Sequence, residues 1–184
     1  MLEAIQNLDQ AVLLWIQEAV RLEVLNPLVE LYTTLGNGGA LWIVLSLVLL
    51  CRKSTRKAGA AALLALLLGF LCTNVVLKHL VHRPRPYTVV EGLAPLLLSG
   101  DPNSFPSGHS AASFAAAVVL FRCRRSFGIP ALILAALIAF SRLFLFVHYP
   151  TDVLAGILLG TAVGLLTCYL FRKFWQLRPV SSGQ

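Results

Sequence analysis

Apolar residues run unbroken by charge over five stretches: Leu31 to Cys51, Ala58 to Leu77, Ser110 to Phe121, Ser126 to Ser141 and Val153 to Phe171. A membrane-crossing helix needs about 20 predominantly apolar residues. The third stretch is short but extends back to Pro106 without formal charge. The pattern predicts an all-α, polytopic membrane helical bundle of five to six helices. The first 35 residues read differently. Leu2, Ile5, Leu8, Val12, Trp15, Ile16 and Ala19 recur at helical spacing, with Glu3, Gln6, Gln10, Gln17 and Glu18 between them. Such a helix suits the membrane interface, although Leu13 and Leu14 blur its stripe. Asn26-Pro27 marks the start of a second short helix, with Pro in its first turn. The expected organisation is interfacial helices over 1–35, a membrane bundle over 36–176 and a disordered tail over 177–184.

Composition agrees. Of 184 residues, 58% are hydrophobic and only 12% are charged, against about 25% charged in a soluble domain. The first residues carry Glu3 and Asp9 where a secretory leader would be basic. Cys51, Cys72, Cys123 and Cys168 form no CxxC and no metal-ligand spacing, so they read as small buried side chains.

The net charge of +7 would by itself allow a nucleic-acid partner, but its distribution argues against one. Ten of the fifteen Lys and Arg residues lie in three clusters: Arg52, Lys53, Arg56 and Lys57; Arg122, Arg124 and Arg125; Arg172, Lys173 and Arg178. Threading the spans alternately puts all three on one side, which marks the cytoplasmic face. Trp175 would then mark that interface, and Trp42 and Tyr149 the opposite one. The segment from Lys78 to Ser107 and the His148 region would face outward, to the periplasm or the cell exterior.

Three outward features need explaining. Lys78 ends a span and is followed by Arg83-Pro84-Arg85-Pro86, a stiff cationic connector. This is either a headgroup anchor or an anion site; an anchor here would run against the positive-inside trend. Pro106-Ser107-Gly108-His109 reads as a helix start with Ser107 as N-cap. Free N–H groups there suit a phosphate, and Gly108 permits its close approach; the plainer alternative is an ordinary cap beside an incidental histidine. Arg142 interrupts an apolar run, where an ionisable residue is costly. Asp152 follows His148 by one helical turn, so it can fix the imidazole tautomer and free the other nitrogen. Alternatively it only complements a helix dipole or pairs with Arg142.

Taken together these residues resemble the PAP2 superfamily of phosphatases, which also contains vanadium haloperoxidases. Its three motifs are Lys-x6-Arg-Pro (Lys78 to Pro86), Pro-Ser-Gly-His (Pro106 to His109) and Ser-Arg-x5-His-x3-Asp (Ser141 to Asp152). The resemblance runs from about Ala40 to the chain end. It implies a metal-independent, cofactor-free phosphatase acting on a lipid phosphate. His148 would be the nucleophile, Asp152 its orienting partner and His109 the proton donor. Lys78, Arg85, Arg142, Ser107 and the Gly108 N–H would hold the phosphate. No carboxylate cluster suited to Mg²⁺ is visible. Among lipids, undecaprenyl pyrophosphate is favoured, with phosphatidylglycerophosphate and phosphatidic acid next. A lipid-binding or transport protein with a degenerate site, and oxidation chemistry on bound vanadate, are the competing readings.

Four smaller expectations complete the reading. Leu93 and Leu96 to Leu98 would dip into the lipid surface. Gly156, Gly160 and Gly164 would form a packing face, within the bundle or in a homo-oligomer. Asn74 would support Lys78. His79, His82 and Arg83 would touch a second phosphate or interfacial lipid.

Overall fold

Because lipid cannot hydrogen-bond to backbone groups, a chain this apolar must satisfy them within helices, and a computed structural model describing residues 2–90 and 93–175 is all-helical apart from one isolated bridge, Pro84 to Asn103. The helices are α1 (Leu2–Trp15), α2 (Asn26–Leu35), α3 (Ala40–Leu50), α4 (Arg56–Phe70), α5 (Lys78–Val81), α6 (Pro86–Val89), α7 (Gly108–Cys123), α8 (Arg125–Phe144) and α9 (Pro150–Trp175). A π-helical stretch, Leu71–Leu77, joins α4 to α5 in one continuous helix, Arg56–Val81. Three helices are long and apolar enough to cross a membrane: Arg56–Val81, Arg125–Phe144 and Pro150–Phe174. Glu23–Leu35 and Asn37–Leu50 make a fourth if counted as one span bent by 44°. The fifth expected span, α7, is a shorter apolar helix of 16 residues.

Helix α7 is the axis of the bundle. Ala111, Ala115, Ala116, Ala117 and Val119 are fully buried between α4, α8 and α9. Its small side chains allow close approach. A Cβ on Gly160 of α9 would lie 2.3 Å from the Ala111 carbonyl oxygen, and one on Gly156 would lie 2.6 Å from that of Ser107. The glycine face of α9 is therefore the α7 contact inside this chain.

The N-termini of α7 and α9 meet, where the Ser107 N–H donates to the Asp152 carbonyl (3.0 Å). Asn74, beyond the C-terminal end of α4, packs against Gly108. The α3–α4 and α7–α8 turns, with Arg52 to Lys57 and Arg122 to Arg125, therefore lie at the opposite end from this junction. The C-terminal Arg172 and Lys173 of α9 join them there. Arg178 and the tail expected at 177–184 fall outside the described residues, as does the Trp175 side chain.

Several expectations are corrected. Trp42 and Tyr149 do not mark an interface. Both are fully buried, and the Trp42 indole N–H donates to Ser113 Oγ at 2.9 Å. Leu96 and Leu97 pack on Phe144, Leu145 and Val147, and Leu93 on the Leu13, Phe146 and Tyr149 cluster; only Leu98 points outward. Of the cysteines, only Cys168 is buried and Cys51 is exposed.

Helix α1 presents a different face inward from the one its apolar stripe suggests. Leu8 and Trp15 are 65% and 60% exposed, whereas Asp9 and Leu13 are 2% and 1% exposed. Gln17, just beyond α1, donates to the Leu143 carbonyl at 2.9 Å. Leu13 and Ile16 also turn inward, so the inward face is mixed, and its polar members Asp9 and Gln17 bond to the bundle.

The α7–α9 contact leaves no room for a side chain. Gly160→Leu is expected to lower the unfolding temperature in detergent by several degrees, consistent with an overpacking cost of roughly 1–3 kcal/mol. Gly38→Ala, with no neighbour within 4 Å of its Cβ position, tests a left-handed turn instead and should not disturb this interface.

Candidate active site

Three backbone segments bring the site together. His82 takes a left-handed conformation (φ 48°) that ends α5 and turns the chain into Arg83-Pro84-Arg85. Beyond α8, residues Leu145 to Tyr149 form a wholly buried connector carrying His148 into α9. A third segment, with a cis Phe105–Pro106 bond, delivers Ser107 as the N-cap of α7.

Lys78, Arg85, Gly108, His109, Arg142 and His148 all line one cavity of about 550 Å³. Two expected site residues do not line it. Asp152 sits behind His148 and is fully buried. Ser107 is also fully buried, and its Oγ accepts from the Ser110 hydroxyl at 2.9 Å and its N–H at 3.4 Å. It serves the helix as a cap, satisfying one of the free N–H groups of the first turn.

The His148 Nε2 faces the cavity, 3.3 Å from Arg85 Nη1. Its Nδ1 lies 3.6 Å from Asp152 Oδ2, within ion-pair reach but longer than a hydrogen bond. Asp152 Oδ2 accepts instead from the Ser104 hydroxyl and from the Tyr149 N–H at 2.8 Å, while Oδ1 accepts from Arg83 Nη1 at 2.6 Å. Burial pushes the His148 imidazole down to about 4, an effect that Asp152 opposes and Arg85 reinforces. Burial thus favours the neutral ring.

Each cation is fixed by neutral or acidic partners. Arg85 donates from Nε to the Asp101 carbonyl (2.6 Å) and from Nη1 to the Val147 carbonyl (2.8 Å). Arg142 donates from Nη1 to Thr33 Oγ1 at 2.7 Å, not to Asp152. Lys78 pairs with Asp101 Oδ2 at 2.5 Å. Burial acts to raise the Asp101 carboxyl, but the bond from Lys78, the Asn103 N–H and nearby Arg85 outweigh it and hold it below its ordinary value. Asn74 bonds to Thr73 rather than supporting Lys78. His109 Nε2 lies 2.9 Å from Asn37 Oδ1. His79 and His82 are exposed and do not line the cavity, and Arg83 is committed to Asp152 and Asp9.

The sequence alone did not point to Thr33, Asn37, Asp101 or Ser104. All are distant in the chain from the groups they hold, and none stands out by spacing. Asp9 carried a weak signal, as an acid on a helix otherwise suited to lipid. Among the described residues, no group of three or more His, Cys, Asp or Glu is arranged to hold a metal ion.

The polar end of the cavity gives way to an apolar wall of Ile43, Leu63, Leu66, Leu67 and Phe70. Ile43, Leu67 and Phe70 are also exposed on the outer surface of the bundle, so this wall reaches the face that meets lipid.

Comparison with known proteins gives a consistent picture. Residues 58–176 match the model of the PAP2 superfamily. An undecaprenyl-diphosphatase of Sulfolobus acidocaldarius is 32% identical over 127 residues, covering 68% of this chain and 61% of that protein. The match thus spans about three fifths of that relative's length. A decaprenylphosphoryl-5-phosphoribose phosphatase of Mycobacterium tuberculosis is 34% identical over 131 residues, 68% of each chain. The crystal structure of a transmembrane PAP2-type phosphatidylglycerolphosphate phosphatase from Bacillus subtilis superposes with a TM-score of 0.76 at 28% identity, covering 95% of this chain and 90% of that one.

Thr33 Oγ1 accepts from both Arg142 and the Ser141 hydroxyl (2.9 Å). Thr33→Val removes that acceptor beside a buried guanidinium and is expected to cost about 1–3 kcal/mol, read as a lower unfolding temperature in detergent. Thr33→Ser keeps the oxygen and should lose much less.

Proposed function

The chain belongs to the PAP2 superfamily, and from that membership we propose that it is a multi-pass membrane hydrolase that removes phosphate from a lipid phosphate or pyrophosphate through a phosphohistidine. One observation carries the lipid assignment: the cavity is cationic at the His148 end and apolar along Ile43, Leu67 and Phe70, which open onto the membrane-facing surface. A headgroup phosphate can reach the cations while its tail stays in the bilayer.

In the reaction, His148 Nε2 attacks phosphorus as the bond to the leaving oxygen breaks, and His109 gives its proton to that oxygen. Water then attacks the phosphorus of the phosphohistidine, His109 takes the water's proton, the P–N bond breaks and inorganic phosphate departs. Lys78, Arg85 and Arg142, with the Gly108 N–H, stabilise the charge spread over the equatorial oxygens. Ser107 acts through its cap, which holds the start of α7. Asp152 orients His148; its 3.6 Å separation from Nδ1 is of the kind that tightens when substrate binds.

Undecaprenyl pyrophosphate is the favoured substrate, supported by the likeness to the Sulfolobus enzyme, with phosphatidylglycerophosphate and phosphatidic acid next. In the bilayer, α7 and the bent pair complete five crossings, and α1 lies in the interface with Leu8 and Trp15 toward lipid. The positively charged end faces the cytoplasm, and the site faces the outer side of the inner or plasma membrane.

Purified protein in detergent with excess EDTA is expected to release phosphate from a panel of these lipids, and His148→Ala is expected to release none. Equal release by the mutant, or none by folded wild type, would remove the hydrolase reading in favour of lipid binding or transport. The pH dependence follows from burial of His148. The neutral ring is the nucleophile and its protonation is pushed down to about 4. Phosphohistidine formation in a single turnover should therefore persist below pH 6 and fail as pH drops through about 4. An acid limb near the ordinary histidine value of about 6.5 would contradict that.

A further inference from the structure

Arg83 lies inside the six-residue spacer between Lys78 and Arg85, away from the cavity. Its guanidinium is nonetheless the most heavily hydrogen-bonded among the described residues. Nη1 donates to Asp152 Oδ1 (2.6 Å) and Thr151 Oγ1 (2.7 Å); Nη2 donates to Asp9 Oδ2 (2.6 Å) and Gln6 Oε1 (2.5 Å). It also stacks over Tyr149, the neighbour of His148, at 4.0 Å. Asp9 in turn accepts from the Thr151 N–H (2.9 Å) and from the Thr151 hydroxyl. One guanidinium is thus shared between two buried carboxylates, one of them His148's partner and the other on α1, outside the stretch that matches the family. A planar fork can hold two carboxylates at once, which an ammonium cannot do with the same geometry.

We propose that Asp9 and Arg83 are positioning residues, a buried electrostatic bridge through which the N-terminal helix α1 sets the charge and placement of Asp152 and thereby the basicity of His148. This rests on the reading of His148 as the nucleophile. The physical reason is the division of Arg83's charge. With Asp9 ionised, Arg83 is partly neutralised and leaves Asp152 free to stabilise charge on the imidazole. With Asp9 uncharged, Arg83 acts wholly on Asp152 and the imidazolium loses support. The other groups facing His148 are Arg85, Arg142 and His109, and none of them contacts Asp9.

Two isosteric changes test the bridge with opposite signs. Asp9→Asn removes a negative charge beside Arg83, and Gln6→Glu adds one at the same nitrogen. In full-length protein with ¹⁵N-labelled histidine in detergent, the His148 titration midpoint should fall in Asp9→Asn and rise in Gln6→Glu, each by about half a unit or more. On the lipid of the panel that wild type hydrolyses fastest, Asp9→Asn should lower kcat while leaving KM close to wild type. The unfolding temperature reports whether each variant is folded. Should Asp9→Asn not fold, Gln6→Glu alone decides: a raised midpoint supports the bridge. Midpoints that stay at the wild-type value, or move in the same direction, in folded variants would overturn the proposal, since a purely structural contact gives no sign reversal. If wild type releases phosphate from none of the lipids of the panel, the hydrolase reading fails, while the titration still decides whether the bridge exists.

Discussion

Asp152 is the constraint on which the rest of the site depends. A carboxylate taken wholly out of water is tolerated only when its oxygens are occupied by donors or cations. Here the Ser104 hydroxyl, the Tyr149 N–H and the Arg83 guanidinium occupy them. Those donors come from the loop before α7, the connector after α8 and the turn after α5. Its backbone carbonyl takes the Ser107 N–H as well. One residue at the start of α9 therefore ties together the turn after α5, the loop and N-cap before α7 and the connector after α8, and His148 is held one helical turn away from it.

The second constraint is like-charge repulsion. Lys78, Arg85 and Arg142 converge on one cavity lined, among the described residues, by a single carboxylate, that of Asp101. Three cations at close quarters in a poorly solvated site repel one another unless an anion or dipoles offset them. The protein supplies dipoles for two of them: carbonyls for Arg85 and a hydroxyl for Arg142. Lys78 has the carboxylate. Among the described residues the cavity keeps a positive excess, which suits the phosphoryl group of the proposed reaction.

With α1 in the interface as proposed, lipid as solvent accounts for the outward position of Leu8 and Trp15. In water, α1 would bury Leu8 and Trp15 and expose Asp9. Against a bilayer the apolar side costs nothing to leave outward, and the polar side gains by reaching Arg83 and the backbone carbonyls of Leu143 and Phe144. The same preference lets α7 be built of alanine and serine. With lipid on the outside, close packing of small residues holds the centre of the bundle.

Legible in the residues alone were a helical membrane protein of the PAP2 superfamily and six of the eight residues expected at the site, Lys78, Arg85, Gly108, His109, Arg142 and His148, which line one cavity. Charge-free runs leave few alternatives to helices in lipid, and the three motifs keep their internal spacing. Arg142 could be named because it is an ionisable group interrupting an apolar run, whereas Lys78, Arg85, His109 and His148 were named by the three motifs of the resemblance. Trp42 and Tyr149 were misread because an aromatic residue near a span end looks the same whether it faces headgroups or a neighbouring helix. Tertiary structure alone decided which partners hold the cations. Thr33, Asn37, Asp101 and Asp9 are ordinary polar residues whose roles follow from contacts across tens of residues, and no local pattern encodes those. It also decided which face of α1 turns inward, because hydrophobic periodicity reports that a helix has two faces but not whether protein or lipid receives the apolar one.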